Sequence, residues 1–343
     1  MTVPDRSCSR RDVIVVGASA GGVEALRALV ASLPPDLPAT VIVVLHVPSY
    51  GRSVLPRILE RAGHLPARHV LDSADLVEGE ILVAPPDHHL VVLDSCVRAT
   101  RGPRENGHRP AIDVLFRSAA RALSHRVIGV ELSGVLDDGA AGMWAIRSRG
   151  GLVVVQDPED CLYPEMPQNV MATVEADHVV PASQIGDLLG RLCREEFDPP
   201  GAPAPSALIQ AETEYALLEE GAMNSVDGAA AAGFSCPDCG GTLFEIHEGG
   251  VPRYRCRVGH AWTTKALLGE QSVQLDTALW MALRSLEEKA ALAAQLANRA
   301  AERGSALSQA RFQDQAAEAR KAANSVRRLL ESRPMTNAEL VDD

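Results

Sequence analysis

The stretch 13-VIVVGASAGGVEAL-26 joins an apolar run to a glycine-rich turn and then to a helical pattern. A run that is apolar at every position is typical of a strand in a parallel sheet whose two faces are both covered. Similar runs alternate with helical patterns up to about residue 195. This alternation predicts an α/β domain over 12–195, a three-layer, doubly wound fold with a mostly parallel sheet. The further predicted strands are 40-TVIVVLH, 81-ILVAP, 89-HLVVLD, 126-RVIGVELSG and 152-LVVVQ, and the predicted helices lie at about 22–33, 52–63, 111–123, 139–149, 165–174 and 183–194.

Length, charge and hydropathy narrow the class of protein. The chain has 343 residues, which is enough for this domain and a second, smaller one. Its net charge of −12 argues against a nucleic-acid backbone as partner. No apolar run approaches the roughly 20 residues of a membrane span, and the N-terminus does not resemble a signal peptide. We therefore expect a cytoplasmic protein with no membrane insertion.

The composition changes after the α/β domain. Proline and glycine are frequent from 197 to 206, which predicts a linker over 196–233, with a short helix at 207–220 and a mobile tether at 221–233. A cysteine-containing unit follows at 234–264, and two helices separated by Gly304 predict an antiparallel hairpin over 265–332. The apolar stripes of the two helices could pack on each other or form a homodimer surface. Small alanines favour packing within the hairpin. The stripes are Leu275, Leu279, Ala282, Leu286, Ala293 and Leu296 in the first helix, and Phe312, Ala316, Ala319, Ala323, Val326 and Leu330 in the second.

The cysteine-containing unit has the spacing of a metal site. Cys236 and Cys239 form a C-x₂-C pair, and Cys256 and His260 follow as C-x₃-H. This pattern resembles a zinc ribbon with a Cys₃His site, and it predicts structural zinc over unliganded thiols or iron. Because the protein fills all four positions, the metal would stabilise the unit and leave no place for a catalytic water.

The glycine-rich turn has two possible uses. Dinucleotide binding needs G-x-G-x-x-G and a later acidic residue, but Gly17, Gly21 and Gly22 are wrongly spaced and the next strand ends at His46. The alternative is a nucleophile, because 17-GASAG-21 fits G-x-S-x-G around Ser19. A tight strand-to-helix turn without chemistry would have a similar composition.

Two further polar side chains follow predicted strands. His46 ends the second strand, and Asp138 follows the strand that begins at 126. Carboxyl ends of parallel strands meet at one edge of a sheet, so Ser19, His46 and Asp138 would lie together there if their strands are neighbours. Helix capping is the alternative role for Asp138. The order Ser, His, Asp also differs from that of ordinary α/β-hydrolases.

Several motifs together resemble the catalytic domain of the chemotaxis protein-glutamate methylesterases (CheB-type). They are VGASAGGVEAL, VLHVP, APPDHHLVV, HRPAIDVLFRSAA, LSGVLDDGAAGM and YPEMPQNV, within about residues 12–193. The resemblance implies that Ser19 is the nucleophile, His46 the general base and Asp138 the orienting acid. It also implies that four candidate residues border the substrate: Gly21, Gly22, Met166 and Asn169. The implied activity is hydrolysis of γ-glutamyl methyl esters, and deamidation of glutamines, on chemoreceptors, with no catalytic cofactor.

The sequence departs from the family pattern in places. Ala20 stands where threonine is common, and Leu136 stands where glycine is usual. Family members in chemotaxis usually carry an N-terminal phospho-receiver domain, and the short segment before the first strand predicts that it is absent here. Leu136, the absent receiver and the added modules leave a non-enzymatic signalling adaptor as an alternative. A serine esterase with another acyl substrate is the second alternative, because a triad by itself does not specify the acyl group. We also expect His88 and His89 to be exposed turn residues, and Asp113 to complement the dipole of its own helix.

Overall fold

The computed structural model describes residues 10–51, 53–198, 203–218, 229–248 and 251–332. These residues form two compact units, one up to Leu267 and the other from Leu268. The helices of the described chain are α1 (Gly22–Ala31), α2 (Leu55–Ala62), α3 (Ile112–Leu123), α4 (Ala140–Ser148), α5 (Glu165–Thr173), α6 (Ala182–Leu192), α7 (Ala207–Leu217), α8 (Thr264–Glu302) and α9 (Ala306–Glu331). None of the described helices has the length and apolar composition needed to cross a bilayer.

A seven-stranded sheet forms the centre of the first unit. Its order is β10-β9-β8-β1-β2-β5-β3, and every neighbouring pair is parallel. The central strands β1, β2 and β8 are buried at every position, which accounts for their uninterrupted apolar runs. The strands are β1 (Val13–Ala18), β2 (Thr40–Leu45), β3 (Ala67–His69), β5 (Ile81–Val83), β8 (Val127–Glu131), β9 (Leu152–Gln156) and β10 (His178–Val180).

Helices cover both faces of this sheet. One core cluster packs α1, α2 and α6 against one face, and a second packs α3, α4 and α5 against the other. Alternate residues of the central strands belong to the two clusters, as Ile14 and Val15 do. The predicted three-layer α/β fold is therefore confirmed.

One predicted strand lies outside the main sheet. The run at 89–94 forms β6 (His89–Val92), which pairs antiparallel with β7 (Cys96–Thr100), and β7 pairs with β4 (Ser73–Asp75). The residues of β6 are all buried because α3 packs on this small sheet. Full burial made it look like a strand of the central sheet. The strands that were not predicted in this domain, β3, β4, β7 and β10, have three to five residues, too few to produce a periodic signal.

The segment after the α/β domain folds onto it. The predicted linker helix is α7, and the cysteine-containing unit is an antiparallel sheet in the order β11-β12-β13-β14. Its strands are β11 (Ala231–Ser235), β12 (Thr242–Glu248), β13 (Val251–Cys256) and β14 (Ala261–Thr263). Residues 221–228 of the predicted tether lie outside the described residues. Residues 231–233, its last three, begin β11, which adds a strand to the sheet. We call residues 231–263 the ribbon. The division of the chain into four domains stays a prediction.

The second unit contains most of α8 and all of α9. Gly304 joins them in a left-handed turn with φ 70°, and an ion pair between Glu287 and Arg327 fits antiparallel helices. The buried residues of the unit include most of the alanine stripe of α9, but in α8 the predicted stripe is displaced. Leu275 is exposed in the earlier part of α8, which extends beyond α9 because α8 has 39 residues and α9 only 26. Ala282 is exposed although it lies within the paired part, and the adjoining Leu283 is buried in its place. The buried residues are Leu283, Ala290, Ala293, Ala297, Ala300, Ala316, Ala319 and Ala323.

Candidate active site

Three neighbouring strands bring the predicted polar side chains together. β1 lies between β8 and β2, and all three run in the same direction. Ser19 follows the last residue of β1, and His46 follows the last residue of β2. Asp138 lies in the loop between β8 and α4. All three side chains therefore stand at the carboxyl edge of the sheet, the edge where parallel α/β folds place their sites.

The three side chains form one hydrogen-bonded chain. His46 Nδ1 lies 3.1 Å from Ser19 Oγ, and His46 Nε2 lies 2.8 Å from Asp138 Oδ2. Because a carboxylate only accepts, Nε2 must carry the proton of the neutral imidazole. Nδ1 then presents its lone pair to the Ser19 hydroxyl. Ser19 is half-buried, whereas Asp138 is 3% exposed.

Asp138 is held by groups other than His46. Its carboxylate accepts hydrogen bonds from the backbone N–H of Ile112 at 2.7 Å and of Asp113 at 3.2 Å, and from Asn106 Nδ2 at 3.0 Å. Burial alone would raise the pKa of Asp138, but the hydrogen bond from His46, its charge and the backbone donors hold that pKa well below its usual range. Asp138 therefore caps the start of α3, while Gly139 is the N-cap of α4. Asp138 does cap a helix, as the alternative expected, but the helix is α3 and not α4, which follows Asp138 in the chain.

Asp113 performs the reciprocal role. Its Oδ1 accepts from the N–H of Gly139 at 3.1 Å and of Gly142 at 2.6 Å. Burial, together with the charge of Asp138, raises the pKa of Asp113 to about 8. The expectation that Asp113 complements its own helix is corrected, because its side chain crosses to α4. The two aspartates thus tie the starts of α3 and α4 together behind His46.

Close packing around the serine turn demands glycine at two positions. Gly21 has φ 71°, and a Cβ there would lie 2.8 Å from Ser133 Oγ. A Cβ on Gly134 would lie 2.0 Å from the Met166 sulfur and 2.8 Å from Ser19 Cβ. The Ser19 N–H donates to the Ser133 carbonyl at 3.0 Å, so it is not directed toward a substrate. The Ser19 N–H is therefore not a donor of an oxyanion hole, whereas the amide of the residue that follows the nucleophile commonly is.

The predicted substrate-binding residues fall into different environments. Gly21 and Asn169 are half-buried near the turn, but Gly22 and Met166 are buried, and Met166 packs below Gly134. Asn169 donates to the Leu136 carbonyl and accepts from Lys265 Nζ at 2.5 Å. Substrate contact by these four residues stays a prediction.

The loop before Asp138 is strained at one residue. Leu136 has φ 64°, in the left-handed region that glycine adopts without cost. The usual glycine of the family pattern therefore has a conformational reason. Leucine is held there by bonds to its backbone, since its N–H donates to Glu165 Oε2 at 3.0 Å and its carbonyl accepts from Asn169.

Two histidines have surroundings that the sequence did not predict. His108 stacks on His46 with ring centroids 3.7 Å apart, and burial followed by the charge of His46 lowers its pKa to about 3. Sequence reasoning assigned it no role, although it belongs to the motif HRPAIDVLF. His89 is fully buried and not exposed. It accepts from the Ala111 N–H and donates to the Pro103 carbonyl, and burial lowers its pKa to about 4. His88 is half-buried.

The four predicted metal ligands do come together. The ligand atoms of Cys236, Cys239, Cys256 and His260 lie within 4.8 Å of one another. Cys239 Sγ and Cys256 Sγ are 3.7 Å apart, and Cys256 Sγ lies 3.6 Å from His260 Nδ1. Tetrahedral zinc with bonds of about 2.3 Å to sulfur and about 2.05 Å to nitrogen requires about 3.8 Å between two sulfurs and about 3.6 Å between sulfur and nitrogen. The donor set therefore fits zinc.

A buried ion-pair cluster fastens the ribbon and α7 to the α/β domain. Glu212 of α7 accepts from Arg253 at 2.8 and 3.0 Å, from Arg255 at 2.7 Å, and lies 3.2 Å from Arg117 of α3. Glu105 accepts from Arg117 at 2.8 Å and from Arg255 at 2.9 Å. All five side chains are at most 5% exposed. The sequence predicted neither this cluster nor the packing that it supports.

The fold and the site define a class of protein, a doubly wound α/β domain with a serine-centred site at the carboxyl edge of its sheet. The chain belongs to the CheB methylesterase family, whose model matches residues 14–189. This membership confirms the resemblance read from the motifs.

Known relatives resemble the same part of the chain. A protein-glutamate methylesterase/protein-glutamine glutaminase of Methanosarcina mazei is 34% identical over 194 residues, which is 54% of this chain and 53% of the relative. One from Pseudomonas aeruginosa is 37% identical over 185 residues, 53% of each chain. The chain thus spans about half the length of these curated relatives. The crystal structure of the Thermotoga maritima CheB methylesterase catalytic domain is 29% identical, with a TM-score of 0.51, and is matched over 100% of its length and 54% of this chain.

Proposed function

We propose that this protein is a protein-glutamate methylesterase that also deamidates glutamines, acting on methylated chemoreceptors in chemotaxis-type signalling. The observation that carries the proposal is the hydrogen-bonded chain Ser19–His46–Asp138 in a member of the CheB methylesterase family. The relatives named above are called protein-glutamate methylesterase/protein-glutamine glutaminase. We expect it to act in the cytoplasm and without a catalytic cofactor.

The proposed mechanism follows from the ring nitrogens. Ser19 Oγ attacks the ester carbonyl carbon while His46 Nδ1 takes the hydroxyl proton. The Nε2–H bond to Asp138 stabilises the resulting imidazolium. Collapse of the tetrahedral intermediate breaks the carbon–oxygen bond, and the methoxy group leaves as methanol with the proton from His46. Water then hydrolyses the acyl-enzyme by the same proton transfers. With a glutamine, ammonia leaves in place of methanol.

The test is methanol release from a methylated receptor. We expect Ser19→Ala to lower the rate about 10⁴-fold or more, because the nucleophile is removed. Ser183→Ala is the matched control, since Ser183 is exposed on α6, and its rate should equal that of the wild type. Release that survives Ser19→Ala refutes the assignment of the nucleophile.

Labelling with a fluorophosphonate separates the alternatives. A methylesterase is labelled at Ser19 and releases methanol. A related esterase with another acyl substrate is labelled but leaves the receptor ester intact, and a substrate panel then identifies its acyl group. A signalling adaptor binds the receptor without labelling or hydrolysis.

We propose structural zinc at Cys236, Cys239, Cys256 and His260. Four protein ligands leave no open coordination position, so the metal would supply folding energy to the ribbon. Metal analysis should find one zinc per chain, and Cys239→Ser should lower that content. Full-length protein that purifies folded with no metal would contradict this assignment.

A homodimer through the C-terminal helices would need a surface other than the alanine stripe of α9, which is buried within the hairpin. The outer surface of α8 exposes Leu275, Trp280 and Met281. We propose these side chains as the dimer contact. Light scattering should give twice the chain mass for the wild type and one chain mass for Trp280→Ser.

A further inference from the structure

The last strand of the ribbon, β14, contacts the segment 104–106, whose Asn106 bonds to Asp138. Three hydrogen bonds join β14 to residues 104–106: the Ala261 N–H donates to the Arg104 carbonyl at 3.2 Å, the Asn106 N–H donates to the Ala261 carbonyl at 2.8 Å, and the Thr263 N–H donates to Asn106 Oδ1 at 2.8 Å. Asn106 is 6% exposed and has φ 53°, a conformation that asparagine tolerates better than most residues. The strand therefore fixes both the backbone and the side chain of Asn106.

The Asn106 amide has only one way to face. Because its Oδ1 accepts from the Thr263 N–H, its Nδ2 is directed to the other side, where it donates to Asp138 Oδ1 at 3.0 Å. Asp138 Oδ2 is the atom that accepts from His46. One side-chain amide thus connects the backbone of the ribbon to the carboxylate that orients the histidine.

Thr263 makes a second connection through its hydroxyl. The hydroxyl donates to Asp137 Oδ1 at 2.6 Å and accepts from the Ala266 N–H at 3.1 Å. Asp137 precedes Asp138 and is 8% exposed. The same strand therefore restrains both neighbouring aspartates of the loop, one directly and one through Asn106.

We infer that Asn106 and Thr263 are positioning residues for the catalytic acid, so that the ribbon forms part of the esterase site. The inference rests on the proposed function and deepens it, since it assigns a role in catalysis to a segment outside the CheB methylesterase match at 14–189. Asn106 holds Asp138 in the rotamer that meets His46. The backbone N–H of Thr263 holds Asn106, and the Thr263 hydroxyl holds Asp137, the residue before Asp138. Both residues act on the segment that carries Asp138 and not on the substrate.

Asn106 also affects the charge that Asp138 presents to His46. Its Nδ2–H draws electron density from the carboxylate, so its removal leaves a carboxylate that favours the imidazolium form of His46 more strongly. The acid limb of the pH profile of kcat/KM should then move to higher pH. The other titratable groups around the pair are His108 on the face of His46, and Asp113, Asp137 and Glu131 around Asp138.

The experiment uses point variants of the full chain. Asn106→Gly removes the amide while keeping a residue that accepts the left-handed backbone. We expect kcat/KM for methanol release to fall about 10- to 100-fold, the effect of one hydrogen bond to a charged group, with kcat changing more than KM and the acid limb displaced upward. Fluorophosphonate labelling of Ser19 should slow to a similar extent.

Thr263 has matched variants on both sides. Thr263→Val keeps the N–H that bonds Asn106 and removes the hydroxyl that bonds Asp137, so kcat/KM should fall several-fold. Thr263→Ser retains the hydroxyl and should keep the wild-type value. Thr264→Val makes the same chemical change one residue further on, where the side chain is exposed and directed to the Pro252 carbonyl at 3.5 Å, and should behave as the wild type. Urea unfolding of each variant confirms that the assays are done on folded protein.

The outcomes distinguish the inference from the proposed function. Wild-type labelling and methanol release with unchanged rates and an unchanged pH profile in Asn106→Gly overturn the positioning role and leave the methylesterase assignment standing. Lower stability without a displaced acid limb also overturns it, because packing alone then explains Asn106. If the receptor ester is not cleaved but Ser19 is labelled, the labelling rates decide the inference by themselves. A wild-type chain that neither labels nor hydrolyses refutes both.

Discussion

Glu212 offers the sharpest test of how the ribbon and α7 are fastened. Glu212→Gln keeps the shape of the side chain and removes its charge. Arg253 then loses the carboxylate that accepts two hydrogen bonds from it. Glu105 is left as the one carboxylate of the cluster that pairs with Arg117 and Arg255. Breaking a buried ion pair by removing one partner costs about 3–5 kcal/mol, because a cation is left buried without compensation. For a unit of this size that loss corresponds to a melting temperature lower by about 6–20 °C.

The assay is urea unfolding followed by tryptophan fluorescence, because Trp262 is buried in the ribbon. Glu196→Gln is the matched control: Glu196 pairs with Arg10 at 2.6 Å where both side chains are about half exposed, and such pairs contribute less than about 1 kcal/mol. A loss for Glu212→Gln no larger than that of the control would refute the role of the cluster.

The loss should also depend on pH in one direction. Burial alone would raise the pKa of Glu212, but the three arginine charges hold it well below its usual range. A carboxyl with a depressed folded pKa contributes stability that is complete above its unfolded pKa, near 4.3, and is lost as the pH falls toward the folded value. The difference between wild type and Glu212→Gln should therefore be full at pH 7 and smaller at pH 4.

Three further predictions concern the site and the metal. Gly134→Ala should lower methanol release at least about 100-fold, because the added Cβ would overlap the Met166 sulfur and press on Ser19, and the wild-type rate in this variant would contradict the packing described. Glu131→Gln should flatten the fall in unfolding free energy as the pH rises above the unfolded carboxyl pKa, near 4.3. The Glu131 carboxyl has no hydrogen-bond partner among the described residues, and burial and the neighbouring Asp138 raise its pKa. Folding therefore holds a proton that the unfolded chain releases, and stability falls by up to about 1.4 kcal/mol per pH unit until the folded pKa is reached. A chelator should release zinc and lower methanol release together if β14 depends on the metal, and loss of zinc with full activity would separate the two.

The strand–helix alternation was readable from the sequence because the central strands are buried on both faces. The same feature misled at 89–94, because the buried strand β6 within this run belongs to the small antiparallel sheet. The stripe of α8 was displaced because periodicity gives the spacing of apolar residues, and only the packing against α9 decides which of them are buried: Leu283 is, and Ala282 is not. Ser19, His46 and Asp138 were predicted to converge because each follows a strand, and neighbouring parallel strands end at one edge.

The amino-acid sequence by itself determined the α/β class, the positions of most helices and central strands, the spacing of the cysteine cluster and the candidate triad, since each of these depends on residues close together in the chain. Only the tertiary structure decided what surrounds that triad. Asn106 and Thr263 are separated by 157 residues, and Glu105 and Arg255 by 150. Which distant segments meet is set by the faces that pack together, and a buried charge or amide finds its partner only after that packing has excluded water.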